Sequence, residues 1–338
     1  EGEYAGDRGL MPLDVGRRAL DYLVAHSGTR RNLEVDFFGG EPLLNWDVVV
    51  ALTAYGRRLE ADSGKRFRFT LTTNGTLLRE DMFDFINREM SNVVLSLDGR
   101  RRVHDAMRPD RGGKGTYDRV LPRFKALVDS RGGRDYYIRG TFTRENLDFA
   151  QDVLHMADLG FKELSIEPVV APADAPYALR MEDLPILFQQ YDLLAAEMRK
   201  RSREGRGFNF YHFMVDLTGG PCGAKRVSGC GVGAEYLAVT PEGHLYPCHQ
   251  FVGEQGFRLG DVFSGIARDA PHEQFLKANL YGRDICRDCF AKFYCSGGCA
   301  ANAHHFSGDI MGGYELGCAL MRKRVECAIM LKAAEADA

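Results

Sequence analysis

The sequence of 338 residues lacks cysteine throughout its first half, because all nine cysteines lie between Cys222 and Cys327. No apolar run approaches the roughly 18 residues that a membrane-spanning helix needs, and no signal peptide is visible. Lysine and arginine number 44 against 47 aspartate and glutamate, so the net charge is -3 and there is no basic excess. We therefore expect neither a membrane nor a nucleic-acid partner, since nucleic-acid binding relies on clustered positive charge.

The cysteine count also bears on the cellular compartment. Secreted disulfide proteins usually spread an even number of cysteines through a short chain. Nine cysteines at one end of a long chain without a signal peptide are more typical of metal binding in the cytoplasm, which is where we expect this protein. The basic runs 199–203 and 322–324 are interpreted as solvated helix faces.

The residues before Cys222 alternate between strand-like and helix-like segments. Apolar and β-branched runs occupy 33–38, 67–73, 93–97, 136–142 and 163–170. Amphipathic stretches occupy 13–26, 46–60, 79–89, 117–130 and 145–158. This alternation predicts an α/β fold with a parallel sheet, in the form of a barrel or part of one. In such folds the chemistry is located at the carboxyl ends of the strands.

Three successive strand ends carry short polar or glycine-rich motifs. They are Gly-Gly-Glu-Pro at 39–42, Thr-Thr-Asn-Gly at 72–75 and Ser-Leu-Asp-Gly at 96–99. Adjacent glycines let backbone groups approach a ligand without an intervening side chain. Taken singly, Asn-Gly and Asp-Gly are ordinary turn signals. Because the three motifs follow neighbouring strands, together they predict a ligand site.

The composition changes after a long helix-like stretch at 181–203. We place a domain boundary in the polar segment that follows it, which gives domains at 1–205 and 206–338. Turn residues then become frequent, and 235–239 with 244–246 predicts a short hairpin. The final segment, 317–336, predicts a helix.

The cysteine spacing decides between two kinds of metal site. Cys286 and Cys289 form a C-x-x-C pair, followed after five residues by Cys295 and after three more by Cys299. Closely spaced thiolates suit soft metals and iron–sulfur clusters, although a tetrahedral zinc site also uses four thiolates. Two four-thiolate sites account for eight of the nine cysteines, and the irregular spacing favours clusters over zinc. The remaining Cys327 is interpreted as a small buried hydrophobe.

The cysteine pattern from Cys230 to Cys318 resembles the SPASM domain of radical S-adenosylmethionine (SAM) peptide-modifying enzymes. The three strand-end motifs resemble the SAM-binding core of that superfamily, so the resemblance covers essentially the whole chain. It implies a partial (β/α)6 radical SAM barrel followed by a small cysteine-rich SPASM domain. The narrower likeness is to the maturases of six-cysteine (SCIFF) peptides, which make the sulfur-to-α-carbon thioethers of sactipeptides. It rests on residues 32–44, 104–118, 213–233 and 238–253.

The resemblance also implies roles for individual residues. Gly39, Gly40 and Glu41 would hold the amino group of SAM, mainly through backbone atoms. Arg108 occupies the position of a basic residue near the SAM carboxylate, a role that suits a guanidinium. The positions that would border the ribose and methionyl portions of SAM are Asn74, Ser96 and Asp98.

Two auxiliary 4Fe-4S clusters are implied in the same way. The ligands of one would be Cys222, Cys230, Cys248 and Cys299. The ligands of the other would be Cys286, Cys289, Cys295 and Cys318. Some thioether-forming relatives leave one auxiliary iron open for a substrate thiol, which leaves the assignment of Cys222 open.

The sequence departs from the family pattern at two places. The C-x-x-x-C-x-x-C motif that binds the SAM-cleaving 4Fe-4S cluster is absent. We interpret the sequence as truncated at its start, and we expect the chain as given to be inactive alone. Sulfatase-maturing relatives carry an aspartate that acts as a base directly after the cysteine matching Cys248, whereas this sequence has His249.

The implied reaction begins with reductive cleavage of SAM to a radical that removes an α-hydrogen from a cysteine-rich, ribosomally made precursor peptide. A peptide sulfur then closes on that carbon. Ferredoxin or flavodoxin would be a suitable electron donor, and Glu167 at the end of the fifth strand is a candidate cleft residue. Two alternatives remain open, namely another radical SAM–SPASM reaction (a carbon–carbon or carbon–oxygen crosslink, or sulfatase maturation) and a zinc-stabilised peptide-binding module.

Overall fold

The computed structural model describes residues 9–172, 174–217 and 223–336. Six strands form a parallel sheet whose order follows the chain. They are β1 Asn32–Phe37, β2 Arg66–Thr73, β3 Met90–Ser96, β4 Tyr136–Phe142, β5 Glu163–Pro168 and β6 Asn209–Phe210. The predicted α/β fold with a parallel sheet is confirmed. The sixth strand has only two residues, which is too short to produce a recognisable pattern.

One helix precedes β1, and the other helices of this region lie in the connections between the strands. They are α1 Leu13–His26, α2 Trp46–Ser63, α3 Phe83–Glu89, α4 Arg101–Met107, α5 Tyr117–Ser130, α6 Phe149–Asp158 and α7 Leu184–Arg203. The five amphipathic stretches and the long helix-like stretch at 181–203 predicted all of these except α4. That helix has seven residues and begins with two exposed arginines, so it lacks a full amphipathic repeat.

Side chains of β2 show how the sheet separates two environments. Phe67, Phe69 and Leu71 are buried, whereas the intervening Arg66 and Arg68 are exposed. This follows from the two-residue period of a strand, which points successive side chains to opposite faces. Helix α2 covers the apolar face so closely that a Cβ at Gly56 would lie 2.7 Å from the Phe69 ring. The opposite face of β2 is polar, with Arg66 and Arg68 exposed and Thr70 and Thr72 half-buried.

Apart from a last helix of 22 residues, the cysteine-rich part of the chain consists of short elements. Its helices are α8 Gly223–Ser228, α9 His272–Lys277, α10 Lys292–Cys295, α11 Ala300–Ser307 and α12 Glu315–Ala336. Its strands β7 Ala238–Val239, β8 His244–Tyr246, β9 Gly260–Asp261 and β10 Gly265–Ile266 form an antiparallel sheet in the order β10-β9-β8-β7. The predicted hairpin is therefore present as β7 and β8, and the predicted last helix is present as α12.

The chain divides into two compact units. The first comprises Glu1–Leu97, Arg108–Tyr137 and Leu237–His272, and the second comprises Asp98–Met107, Ile138–Tyr236 and Glu273–Ala338. In the first unit, Leu245, Leu259 and Val262 form a small core against Ala19 and Tyr22 of α1. The domain boundary after residue 205 stays a prediction.

In the second unit, α12 lies along α7. The Arg324 guanidinium donates to the Tyr191 hydroxyl at 2.9 Å, and Lys323 pairs with Asp192 at 2.6 Å. Arg324 is buried, as is Arg201, which pairs with Asp158. The interpretation of these two basic runs as solvated was therefore wrong at both positions, because each arginine faces a partner on a neighbouring element.

Among the helices in the described ranges, none has both the length and the apolar character needed to cross a membrane.

Candidate SAM-binding and iron–sulfur site

The end of β1 presents open backbone. Gly39 and Gly40 are exposed, and a Cβ added to either would meet no atom of the described residues within 4 Å. Gly39 also has a φ of 138°, a conformation that side chains disfavour. These two residues therefore leave room for a ligand to approach the main chain, as the predicted contact with the SAM amino group requires.

The carboxylate of Glu41 is used inside the protein. It is buried and accepts hydrogen bonds from the Leu43 amide at 3.0 Å, the Thr73 hydroxyl at 2.8 Å and the Asn74 amide at 2.8 Å. Leu43 lies in the segment that follows β1. Thr73 is the last residue of β2, and Asn74 directly follows it. The Glu41 side chain thus connects two predicted SAM-binding segments by hydrogen bonds. This arrangement agrees with the expectation that a ligand would be held mainly by backbone atoms.

Hydrogen bonds also stabilise residues 74–76, the segment after β2. The Asn74 side-chain oxygen accepts from the Thr76 amide at 2.9 Å and from the Thr76 hydroxyl at 2.7 Å. Arg123 of α5 donates to the Thr76 carbonyl at 2.6 Å. Ser96 is half-buried at the last position of β3.

Two other predicted SAM-binding residues lie in well-defined surroundings. Arg108 is half-buried, and its carbonyl accepts the Thr116 hydroxyl at 2.7 Å. Asp98 belongs to the second unit and is almost completely buried. Its carboxylate accepts the Thr141 amide of β4 at 2.9 Å and lies 4.0 Å from His104 Nδ1. The predicted SAM contacts of these residues stay predictions.

His249 contacts the residue that directly follows β1. Its ring packs on Phe38, the residue before the two glycines, with 4.9 Å between the ring centroids. His249 is exposed and directly follows the buried Cys248. Position 249 is therefore next to the predicted SAM-binding segment. Nothing in the sequence indicates this contact, because the two residues lie on different predicted domains.

The thiols of Cys286, Cys289, Cys295 and Cys318 form one group in the second unit. Burial, followed by the thiols of Cys318, Cys286 and Cys289, raises the pKa of Cys295 to about 11. Burial and then the thiols of Cys318 and Cys289 raise the pKa of Cys286 in the same way. Since like charges disfavour ionisation, these effects show that the thiols lie within electrostatic reach of one another.

Cys299 faces a different thiol. Burial raises its pKa, the amides of Asn302 and Ala301 oppose that effect, and the Cys230 thiol adds to it. The Asn302 amide lies 3.5 Å from Cys299 Sγ at the start of α11. Cys222 lies outside the described residues. Cys248 belongs to the first unit, so its assignment to the same ligand set stays a prediction.

The two thiol groups could serve either clusters or single ions. Within the described ranges, no three histidine, cysteine, aspartate or glutamate side chains lie close enough together to hold one metal ion. A tetrahedral zinc site requires four ligand atoms about 2.0 to 2.3 Å from one ion. In a 4Fe-4S cluster each cysteine binds a different iron, so the sulfurs stay farther apart. Both kinds of site use thiolates, and the assignment of these thiols to 4Fe-4S clusters stays a prediction.

Cys327 stands apart from both groups. It lies buried on α12, and its sulfur is 3.9 Å from Asp192. Burial raises its pKa to about 12. Such a thiol stays protonated and packs as a small apolar side chain, as the sequence predicted.

Glu167 ends β5 within a network of charges that the sequence did not reveal. Its carboxylate lies 3.3 Å from His212 Nε2 and 3.9 Å from Arg324 Nη2. Burial raises the Glu167 pKa, but His212, Arg324 and Arg139 outweigh burial and lower it to about 2. The partners come from segments far apart in sequence, so no local motif connects them.

The parallel sheet, its glycine-rich strand ends and the thiol-rich region are the features that the resemblance to radical SAM enzymes implies. Residues 4–151 match the family model of the radical SAM superfamily, and this part of the chain is a radical SAM domain.

Comparison with known proteins gives relatives that extend beyond this domain. An uncharacterized protein of Archaeoglobus fulgidus is 28% identical, over 86% of this chain and 67% of that protein. The cysteine-type anaerobic sulfatase-maturating enzyme of Clostridium novyi is 24% identical, over 87% of this chain and 79% of the enzyme. The solved structure of native anSMEcpe with bound AdoMet and Cp18Cys peptide has a TM-score of 0.81 at 20% identity. It covers 100% of this chain and 94% of that one. At this identity the likeness shows the fold alone.

Replacing Glu41 with glutamine should destabilise the protein by about 2 kcal/mol or more. The amide cannot accept from all three donors, and its own N–H groups would face the donors that remain. Urea unfolding measures the stability, and amide hydrogen exchange at Asn74 reports the local effect. Glu34→Gln is the matched control, because the Glu34 side chain is 82% exposed. Equal stability losses in the two variants would contradict the bracing role of Glu41.

The depressed pKa of Glu167 predicts a dependence of stability on pH. Its folded value of about 2 is below the ordinary 4.5, so ionised Glu167 stabilises the fold above pH 4.5. This contribution, on the order of 2 kcal/mol, is lost as the pH falls from 4.5 towards 2. In Glu167→Gln the loss of stability over this range should be smaller, as measured by urea unfolding. Glu163→Gln on the same strand should behave like the wild type, and an unchanged Glu167→Gln profile would contradict the assignment.

Proposed function

We propose that the protein is a radical SAM peptide-modifying enzyme that forms bonds between a cysteine sulfur and an α-carbon in a cysteine-rich precursor peptide. The observation that carries the proposal is the separation of the described thiols into two groups, in a chain whose radical SAM domain presents open glycine backbone at β1. The first feature suits auxiliary 4Fe-4S clusters, and the second suits SAM.

The residues of this chain supply binding and orientation. We assign Gly39 and Gly40 to the SAM amino group and Arg108 to its carboxylate, with Glu41 holding the binding segments in place. SAM and a reduced cluster, when bound, supply the radical chemistry that removes the α-hydrogen. An electron donor such as ferredoxin or flavodoxin would supply the electron for SAM cleavage.

We assign His249 to receive the proton from the substrate thiol. A neutral imidazole accepts protons near neutral pH, and its place beside Phe38 brings it close to the segment assigned to SAM. Bond formation balances if the α-hydrogen leaves as an atom, the thiol proton goes to His249 and the surplus electron goes to an auxiliary cluster. The peptide thus loses two hydrogens and keeps its sulfur.

Sulfatase maturation is the second candidate. It is favoured by the Clostridium novyi relative and by the fold shared with anSMEcpe. His249 argues against it, because sulfatase-maturing relatives carry an aspartate there. The two reactions give chemically different products, since oxidation of a cysteine to an aldehyde releases its sulfur.

Metal content separates the enzyme from a zinc-stabilised binding module. The chain reconstituted anaerobically with iron and sulfide should hold roughly eight irons and show a brown thiolate-to-iron absorption band. Cys295→Ser and Cys299→Ser should each disturb one cluster, whereas Cys327→Ser should retain the full iron content and serve as the control. One or two zinc ions without colour would contradict the cluster assignment.

The product decides between the two reactions. With a C-x-x-x-C-x-x-C segment supplied in an N-terminal extension, the protein should cleave SAM when given dithionite and convert a six-cysteine peptide. Mass spectrometry should show loss of two hydrogens per crosslink, retention of sulfur and a thiol that no longer reacts with iodoacetamide.

His249→Ala should lower the rate of crosslinking by about 100-fold or more, with SAM cleavage retained. His249→Asp is the matched variant that introduces the residue of the sulfatase-maturing relatives. If the unmutated protein forms an aldehyde on a sulfatase-type peptide and no crosslink on the six-cysteine peptide, sulfatase maturation is favoured instead.

A further inference from the structure

Glu167 presents one carboxylate oxygen at the carboxyl end of β5. It is the penultimate residue of that strand, and its side chain is 29% exposed. Oε1 lies 3.3 Å from His212 Nε2, whereas Oε2 accepts no hydrogen bond from any residue that the structure describes. A carboxylate oxygen can accept two hydrogen bonds, so Oε2 has its full acceptor capacity available for a ligand.

The face of the sheet that carries Glu167 is polar. Leu164 and Ile166 point to the opposite face and are fully buried, as the two-residue period of a strand requires. On the neighbouring β4, Arg139 pairs in register with Ser165, is exposed, and forms no ion pair with any residue in the described ranges. Arg139 and Glu167 therefore lie on the same face of adjacent strands. In barrel enzymes, substrates bind at the carboxyl ends of such strands.

A second arginine lies behind the open oxygen. Arg324 Nη2 is 3.9 Å from Glu167 Oε2, and the Arg324 side chain is only 7% exposed. Nη2 is buried without a hydrogen-bond partner among the described residues, while Nε is held by the Tyr191 hydroxyl at 2.9 Å. A buried guanidinium with an unsatisfied donor strongly favours a negative charge beside it. The Glu167 carboxylate is thus kept ionised and in a fixed place.

The charges around Glu167 determine which donor suits it. Arg139 and Arg324 contribute two positive charges against the one negative charge of Glu167. Burial, followed by Arg324, lowers the pKa of His212, so this imidazole is neutral near pH 7. An ammonium group would be attracted by Glu167 but repelled by both guanidinium groups.

A neutral N–H group avoids this repulsion. A peptide main chain offers such a donor at every residue except proline, together with a carbonyl oxygen that the exposed Arg139 attracts. The acceptor and the positive charge on this face therefore match the two polar groups of a peptide backbone.

We propose that Glu167 is a substrate-binding residue whose Oε2 accepts a hydrogen bond from a main-chain N–H of the precursor peptide. The ligand class is a neutral amide in an extended segment of the peptide. This inference rests on the peptide part of the proposed function, and it is independent of which bond the enzyme makes.

The test removes the N–H groups of the peptide one at a time. A six-cysteine peptide with a fluorescent label is methylated at one backbone nitrogen after another. Fluorescence anisotropy measures its Kd for the chain with SAM and without a reductant, so that no reaction occurs. In the wild type, methylation at one position should raise Kd by about 10- to 100-fold, as expected for a hydrogen bond to a charged group.

Glu167→Gln separates the loss of the hydrogen bond from the bulk of the added methyl group. The variant keeps the size of the side chain and removes its charge, so the same methylation should raise Kd by a factor about fivefold smaller than in the wild type. Glu163→Gln, on the same strand, is the matched control and should respond like the wild type. If Glu167→Gln does not fold, Glu167→Asp keeps the charge but withdraws it by one methylene, and it serves the same comparison.

Steady-state kinetics give a second measurement. With the C-x-x-x-C-x-x-C segment supplied, Glu167→Gln should raise the KM for the peptide and leave kcat nearly unchanged. The hydrogen bond is made equally before and during the reaction, and such uniform binding affects KM alone.

Equal effects of methylation in the wild type and in Glu167→Gln at every position would overturn the role of Glu167 while leaving the proposed function intact. A loss of SAM affinity in Glu167→Gln with unchanged peptide affinity would also overturn it, because the carboxylate would then serve SAM. A wild-type chain that does not bind the peptide would overturn the peptide part of the proposed function and this inference together.

Discussion

The buried carboxylate of Glu41 is the interaction on which the candidate SAM site depends. A buried carboxylate is tolerated only when its oxygens are hydrogen-bonded, and Glu41 meets this condition with donors from Leu43, Thr73 and Asn74. Because the segments after β1 and β2 share one acceptor, neither can shift without leaving a buried charge unsatisfied. The open backbone at Gly39 and Gly40 is thereby held at a fixed place relative to Asn74, as recognition of a small polar ligand requires.

Repeating patterns made the main elements of the fold predictable. The alternation of apolar and polar residues in β2 arises because one face of the sheet packs on α2 and the other stays open. A two-residue strand contains no such repeat, so β6 could not be predicted. Its existence follows from the pairing of Leu164 with Phe210, a contact between residues that are distant in sequence.

The residues of the candidate site also fall into two sets, those that a local motif indicates and those that only the packing of distant segments brings together. Gly39, Gly40 and Asn74 stand in short motifs whose backbone requirements are local, so the sequence could indicate them. The contact between Phe38 and His249, and the charges of His212 and Arg324 around Glu167, depend on how distant segments pack. Arg324 shows the difference well. It lies in a basic run that suggests an exposed surface, yet its guanidinium is buried against Tyr191 because this face of α12 packs on α7.

A histidine at position 249, compared with an aspartate there, changes the electrostatics of the site as well as the basicity of the side chain. An aspartate beside a substrate thiol would raise the pKa of that thiol by repulsion, whereas a neutral imidazole would not. A thiolate that forms readily and keeps its charge is a good nucleophile for bond formation at carbon. The proposed function therefore places a histidine packed on Phe38 beside a substrate thiol whose sulfur is retained.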